Sequence, residues 1–229
     1  MTQISYDHGV SDKKLIGQTI GAFFDRAVET WRDREALVVR QQDVRWSWGE
    51  LGRRVDDLAA GLLSLGLERG DRVGIWAPNR SEWTLAQFAT AKAGLVLVNV
   101  NPAYRRSELE YAMNKVECKA LILAPALKTS NYLEITDDLV KAGKLPHLKH
   151  IVRLGAEKTP GMLNFDDVAT GNLVTKSNHL AIYFGADTLV ADFGVHRISE
   201  IDRSGAGRKF EHAAFGSEGI HFVRREIDF

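Results

Sequence analysis

Cysteine is almost missing: Cys118 is the only one in 229 residues. An internal disulfide framework and a cysteine-rich metal site are therefore excluded. Cys118 opens the apolar run CKALILA and reads as a small buried hydrophobe rather than a catalytic thiol. An excess of charge of one sign is missing too, because 30 Lys and Arg offset 30 Asp and Glu. A nucleic-acid partner would call for a basic face, and the doublets Arg53-Arg54, Arg105-Arg106 and Arg224-Arg225 are isolated. No apolar run approaches the ~20 residues that span a bilayer. The opening MTQISYDHGVSDKK carries no apolar signal region. The expectation is a soluble, cytoplasmic protein without a transmembrane segment. Sequence repeats are also undetectable.

What is there is an ordinary balance of 45% apolar and 26% charged residues, enough to bury a core. Residues 18–32 place Ile20, Phe23, Phe24, Ala27, Val28 and Trp31 on one helical stripe. EALVVR (35–40) and VRWSW (44–48) read as short strands around the polar turn QQD. A helix over 49–66 turns Leu51, Val55, Leu58, Ala59, Leu62 and Leu63 inward and ends at Gly66. RVGIWA (72–77), LVLVNV (95–100) and CKALILA (118–124) are continuous apolar runs of the kind buried on both faces. Pro78 and Pro102 end the first two. Asn79 with Glu82, and Ser107 with Glu110, have capping-box spacing at the heads of two further helices. A helix near 131–142 and HIVRL (150–154) complete the series. Apolar strands alternating with amphipathic helices predict an α/β fold, a parallel β-sheet covered by helices. Helices are expected over 49–65, 80–93 and 107–117, flanking three parallel central strands. Such a fold does not name its chemistry.

Three strings go further. RWSWGELGRRVDDLAAGLLSLGLERGDRVGIWAPNRSEW (45–83), QFATAKAGLVLVNVNPAYRRSELEYAMNKVECKALIL (87–123) and EKTPGMLNFDDV (157–168) resemble the N-terminal subdomain of adenylate-forming enzymes. Within that superfamily they are similar to fatty-acyl-CoA synthetases of the medium-chain type, over about residues 4–170. Gly70-Asp71, Gly94 and Pro102 within these strings are turn and strand-end residues, architectural rather than catalytic. The resemblance implies activation of a fatty acid with ATP and magnesium to an acyl-adenylate, followed by transfer to coenzyme A. It also implies a phosphate loop of the form TSGTTGxPKG, later acidic motifs and a C-terminal lysine.

Those groups are not in the sequence. After NFDDV (164–168) the chain reads ATGNLVTKSNHLAIYFGADTLVADFG, without a Ser/Thr/Gly cluster before a Pro-Lys-Gly. RSGAGRKF (203–210) does not fit GxxxxGK[ST], and Phe210 stands where a hydroxyl would bind magnesium. No GxGxxG occurs either. His179, His196, His212 and His221, with Asp187, Asp192 and Asp202, make no pair at useful ligand spacing and read as solvated. Arg45, Lys92 and Arg105 read as solvated surface charges on the scaffold.

The sequence therefore predicts an incomplete acyl-CoA-synthetase-like subdomain over 1–170 and an unassigned tail over 171–229, frameshifted or fused just after Val168. The expected function is a truncated fatty-acid–CoA ligase fragment, inactive alone. Catalytic, cofactor-binding and metal residues are assigned to none of its positions, and no bound cofactor is expected. One alternative is a non-catalytic interaction module that pairs with a full-length homologue through a sheet edge; another places an enzyme site in the tail. The tail is expected to pack poorly on the sheet, leaving Ile182, Phe184, Phe193 and Phe222 without an interface there. Self-association is expected through the uncovered apolar edge.

Overall fold

The computed structural model describes residues 15–170 and the backbone of 189–192 and 221–224. Thr19 opens the first helix, α1 (Ile20–Thr30), its hydroxyl accepting from the Ala22 N–H at 3.2 Å. Strands β1 (Glu35–Val39) and β2 (Val44–Ser47) form an antiparallel hairpin, closed by a 3-10 turn at Arg40–Gln42 and left-handed Asp43. Ser47 then caps α2 (Trp48–Ser64) reciprocally. Its hydroxyl accepts from the Glu50 N–H at 3.2 Å, while the Glu50 carboxylate accepts from the Ser47 N–H at 2.8 Å. Gly66 follows the helix at φ 77°, the left-handed conformation expected of it.

Next come β3 (Arg72–Trp76), α3 (Ser81–Lys92), β4 (Val96–Asn99), α4 (Arg106–Lys115) and β5 (Ala120–Leu123). A small antiparallel hairpin of β6 (Ala126–Leu127) and β7 (Ser130–Asn131) leads into α5 (Tyr132–Lys141) and β8 (His150–Arg153). β9 (Leu163–Asn164) runs directly into α6 (Phe165–Ala169). β10 (Leu189–Asp192) and β11 (His221–Arg224) pair antiparallel with each other.

Five strands form one wholly parallel sheet in the order β4-β3-β5-β8-β9. Helices α1, α2, α3 and α6 pack against one another as one layer, and α4 contacts α5 in a second. The core runs between these layers. Val73, Ile75 and Trp76 of β3 and all four residues of β5 are fully enclosed, as continuous apolar strands of a doubly covered sheet should be.

Several expectations are corrected. LVLVNV is parallel, but it is the edge strand rather than a central one: Leu95 and Val100 are buried, whereas Val96 is 47% exposed. In α1, Phe24, Ala27 and Val28 face the core, but Ile20 is 63% exposed and Phe23 and Trp31 are partly exposed. The inward face is widened instead by Gly21, which sits against Lys92 of α3. Asn79 does not cap α3. The cap residue is Arg80, and the Ser81 N–H is satisfied by the Gln42 side chain at 2.7 Å. Ser107 lies inside the first turn of α4, and the acidic capping partner is Glu108, which accepts from the Arg105 N–H at 3.1 Å. The poor packing expected of the tail concerns residues outside the described ones.

Candidate functional site

In open parallel sheets, ligands bind beyond the carboxyl ends of the strands, where strand order reverses. Here that point lies between the ends of β3 and β5, because the chain leaves β3 for β4 through the α3 layer and leaves β5 for β8 through the α5 layer. The loops 77–80, 100–105, 124–131 and 154–162 surround it. Its centre is filled by two aromatic rings. Trp76, the last residue of β3, stacks on Tyr132 of α5 with centroids 3.7 Å apart and ring planes 15° from parallel. Both are fully buried.

Each ring spends its polar atom on the loop after β4. The Trp76 indole N–H donates to the Asn101 carbonyl at 3.1 Å, and the Tyr132 hydroxyl donates to the Pro102 carbonyl at 2.5 Å. Asn101 folds back on the same loop, its side-chain oxygen accepting from the Ala103 N–H at 2.9 Å. Arg105 donates to the Ser130 hydroxyl and so ties the loop to the β6–β7 hairpin. Burial pushes the Tyr132 hydroxyl pKa above its ordinary value, against the pull of Arg105. The crevice is plugged, and its polar groups are turned to holding loops.

Several charged side chains are likewise engaged in scaffold contacts. Lys92 corrects the expectation of a solvated charge: its side chain is 4% exposed and is ion-paired with Asp25 of α1 at 2.5 Å and with Asp56 of α2. The ammonium therefore joins three helices. The signal available in the sequence was the run of small residues around it, Ala89, Thr90, Ala91 and Ala93, which lets a neighbouring helix approach closely. Arg45 is an exposed partner of Glu35, in keeping with a surface role.

Glu82, in the first turn of α3, is held by Arg80 at 2.5 Å and accepts from the Gln42 side chain at 2.9 Å. Burial alone would raise its pKa, but the Arg80 and Gln42 donors outweigh it and bring the carboxyl down to about 2. Asp71 follows the same logic. Burial opposes its ionisation, and the Glu68 N–H at 2.9 Å and Lys119 at 2.6 Å overcome that and lower its pKa. Arg153, at the carboxyl end of β8, grips the next loop by donating to the Glu157 carbonyl and carboxylate.

Cys118 is enclosed, as expected, and burial pushes its thiol up to about 11. A thiol of that kind is a poor nucleophile. Among the described residues, no group of His, Cys, Asp and Glu could hold a metal ion. Asp192 and His221 are register partners in β10 and β11; His179, His196, His212, Asp187, Asp202 and the 203–210 loop lie outside the described residues. No segment of the form TSGTTGxPKG occurs among the described residues.

Known proteins identify the scaffold. The family model described as AMP-binding enzyme matches residues 24–184, beyond position 170 where the resemblance of the quoted strings stops. The chain is 40% identical over 176 residues to a mouse protein named medium-chain acyl-CoA ligase ACSF2, mitochondrial, covering 72% of this chain and 28% of that protein. It is 42% identical to the orangutan (Pongo abelii) protein of the same name, with the same coverage. The chain thus spans well under a third of the length of these relatives. The solved structure of an anthranilate CoA ligase with anthranoyl-AMP superposes with a TM-score of 0.60 at 23% identity, over 67% of this chain and 28% of that one. That likeness establishes the α/β fold. By the family match over most of its length, the chain belongs to the AMP-binding enzymes.

Proposed function

We propose that this chain is the N-terminal scaffold of a medium-chain fatty-acid–CoA ligase and that its 229 residues alone do not adenylate a fatty acid. The names of the mammalian relatives support the substrate class. The complete enzyme would join a fatty acid to ATP as acyl-AMP, release pyrophosphate, and pass the acyl group to the thiol of coenzyme A. The observation that carries the second half is the sequence after Phe184, which offers no Ser/Thr/Gly loop with a Pro-Lys-Gly. Adenylyl transfer needs donors preorganised around the phosphates, and losing even one such donor costs ~10²–10³ in rate. The plugged crevice between the ends of β3 and β5 supplies no substitute. Its donors are already bonded to Asn101 and Pro102.

The division of the chain into an acyl-CoA-synthetase-like subdomain over 1–170 and a tail over 171–229 belongs to the same proposal; the family match reaches residue 184. The DNA around and downstream of codon 170 tests it: a TSGTTGxPKG coding segment in another frame is the expected finding, and a continuous, unrelated domain would overturn it. The functional test is fatty-acid-dependent exchange of labelled pyrophosphate into ATP, with acids of C6 to C16 and magnesium. No exchange and no rise of the melting temperature with ATP are expected. Exchange abolished by a substitution within 1–229 would refute the proposal. A cytoplasmic location is proposed with it, and imaging a C-terminally tagged chain distinguishes this from the mitochondrial location in the relatives' names.

A further inference from the structure

Arg153 is the last residue of β8 and is only 4% exposed. A guanidinium taken out of water needs partners for its charge and its N–H groups. Two of its nitrogens have them. Nη1 donates to the Glu157 carbonyl, and Nη2 donates to the Glu157 carboxylate at 2.5 Å. The third, Nε, is enclosed, and among the described residues nothing accepts from it. Asn164, its register neighbour on β9, cannot help, because its side-chain oxygen already accepts from the Asp166 N–H at 3.0 Å. Nε–H and the Nη2–H beside it form one edge of the planar group. That edge is the one that grips two oxygens of a carboxylate or a phosphate. Glu157 uses only one of its two donors.

Glu157 is also a weakly held occupant. Its side chain is 87% exposed, against 5% for that of Arg153. A carboxylate that keeps its water gains little from such a pair and loses little by leaving it. The segment that carries it is bounded by two left-handed glycines, Gly155 at φ 97° and Gly161 at φ 79°. A Cβ at either would meet nothing within 4 Å, so both can change backbone conformation at small cost. Besides Arg153, two contacts hold the segment down. The Asn164 amide donates to the Gly155 and Glu157 carbonyls at 2.8 and 3.3 Å, and Lys158 pairs with Asp167 at 3.5 Å on the surface.

We propose that Arg153 is an oxyanion-binding site at the carboxyl end of β8, held closed by the chain's own Glu157. A carboxylate or phosphate group that takes Nε–H and Nη2–H together displaces the Glu157 carboxylate, and the segment 155–161 shifts on its two glycines to admit it. The site lies two strands along the sheet from Trp76 and is distinct from the plugged crevice. It rests on the geometry of Arg153 and not on the ligase reading, so an inactive or active chain leaves it standing.

The test follows the Arg153 Nε–H signal in proton–nitrogen spectra of the full, isotope-labelled chain, identified by its displacement in Glu157→Gln. Sodium acetate, inorganic phosphate and sodium chloride are titrated at constant ionic strength. The expected result is a saturable shift with acetate, phosphate or both, and none with chloride; acetate alone defines a carboxylate ligand, phosphate alone a phosphorylated one. Glu157→Gln removes the competing charge and should tighten the apparent Kd about two- to five-fold, the contribution of an exposed ion pair. Arg153→Lys keeps the charge but not the fork, and calorimetry should show the binding lost. Glu157→Gln changes an exposed side chain, so its arm stays decisive if Arg153→Lys does not fold. No saturable shift with either anion, an equal response to chloride (an adventitious ion only), or an affinity unchanged or weakened in Glu157→Gln would each overturn the proposal. An Nε–H in contact with a bound water and indifferent to both anions would overturn it too.

Discussion

Gly61→Ala sets local propensity against tertiary packing. Gly61 lies inside α2, where alanine in place of glycine normally stabilises by roughly 0.5–1 kcal/mol. In this fold a Cβ at position 61 would stand 1.9 Å from the Val168 carbonyl oxygen and 2.8 Å from its carbon. Both are backbone atoms and cannot rotate away, so α6 must move. Overpacking of this kind costs ~1–3 kcal/mol. If α6 lifts off, Phe165 and Val168, both buried, lose burial worth about 1.5–3 kcal/mol each. Less the propensity gain, the net destabilisation is about 2–5 kcal/mol. Urea unfolding of the purified chain reads it as a lower midpoint at similar slope, and hydrogen exchange should speed up over 165–169. Gly52→Ala is the comparison, since its Cβ would meet the Val28 side chain at 2.9 Å and a side chain can yield; it should cost less. A Gly61→Ala protein as stable as the parent, or more so, would refute the close approach of α6 to α2.

Lys92→Ala leaves Asp25 and Asp56 facing each other without the ammonium between them. A loss of about 2–3 kcal/mol is expected, below the ~3–5 of a fully buried pair because Asp25 is partly exposed; a midpoint unchanged in urea would return Lys92 to the surface. Glu82 has its carboxyl depressed from 4.5 to about 2, so its stabilisation is complete above pH 4.5 and lost as pH falls towards 2. The shift corresponds to about 3 kcal/mol, and Glu82→Gln should flatten that part of the stability–pH curve; an unaltered curve would show that the carboxylate is not held. Cys118, with a thiol near 11 and no exposed surface, should resist Ellman's reagent at pH 8 until the chain unfolds, and rapid labelling of the native protein would contradict its burial.

The sequence by itself determined the alternation of strands and helices, their parallel arrangement and the family. Continuous apolar runs such as RVGIWA and CKALILA, closed by turn residues, leave few other solutions. That no string of the form TSGTTGxPKG occurs in these 229 residues is also legible directly, because such a motif is contiguous. The Ser47–Glu50 cap has capping-box spacing in the sequence, as do the pairs at Asn79 and Ser107, which do not cap in the structure. What needed the tertiary structure was everything set by partners distant in sequence. Apolar content does not distinguish an edge strand from a central one, since LVLVNV and CKALILA have the same pattern and only strand order separates them. Lys92 becomes buried because α1 and α2 each bring an aspartate to it from far along the chain. The carboxyl-end crevice is closed because Trp76 and Tyr132 meet there, 56 residues apart in the numbering. Charge burial and crevice filling are properties of packing between elements, and a pattern within one element carries no record of what will be packed against it.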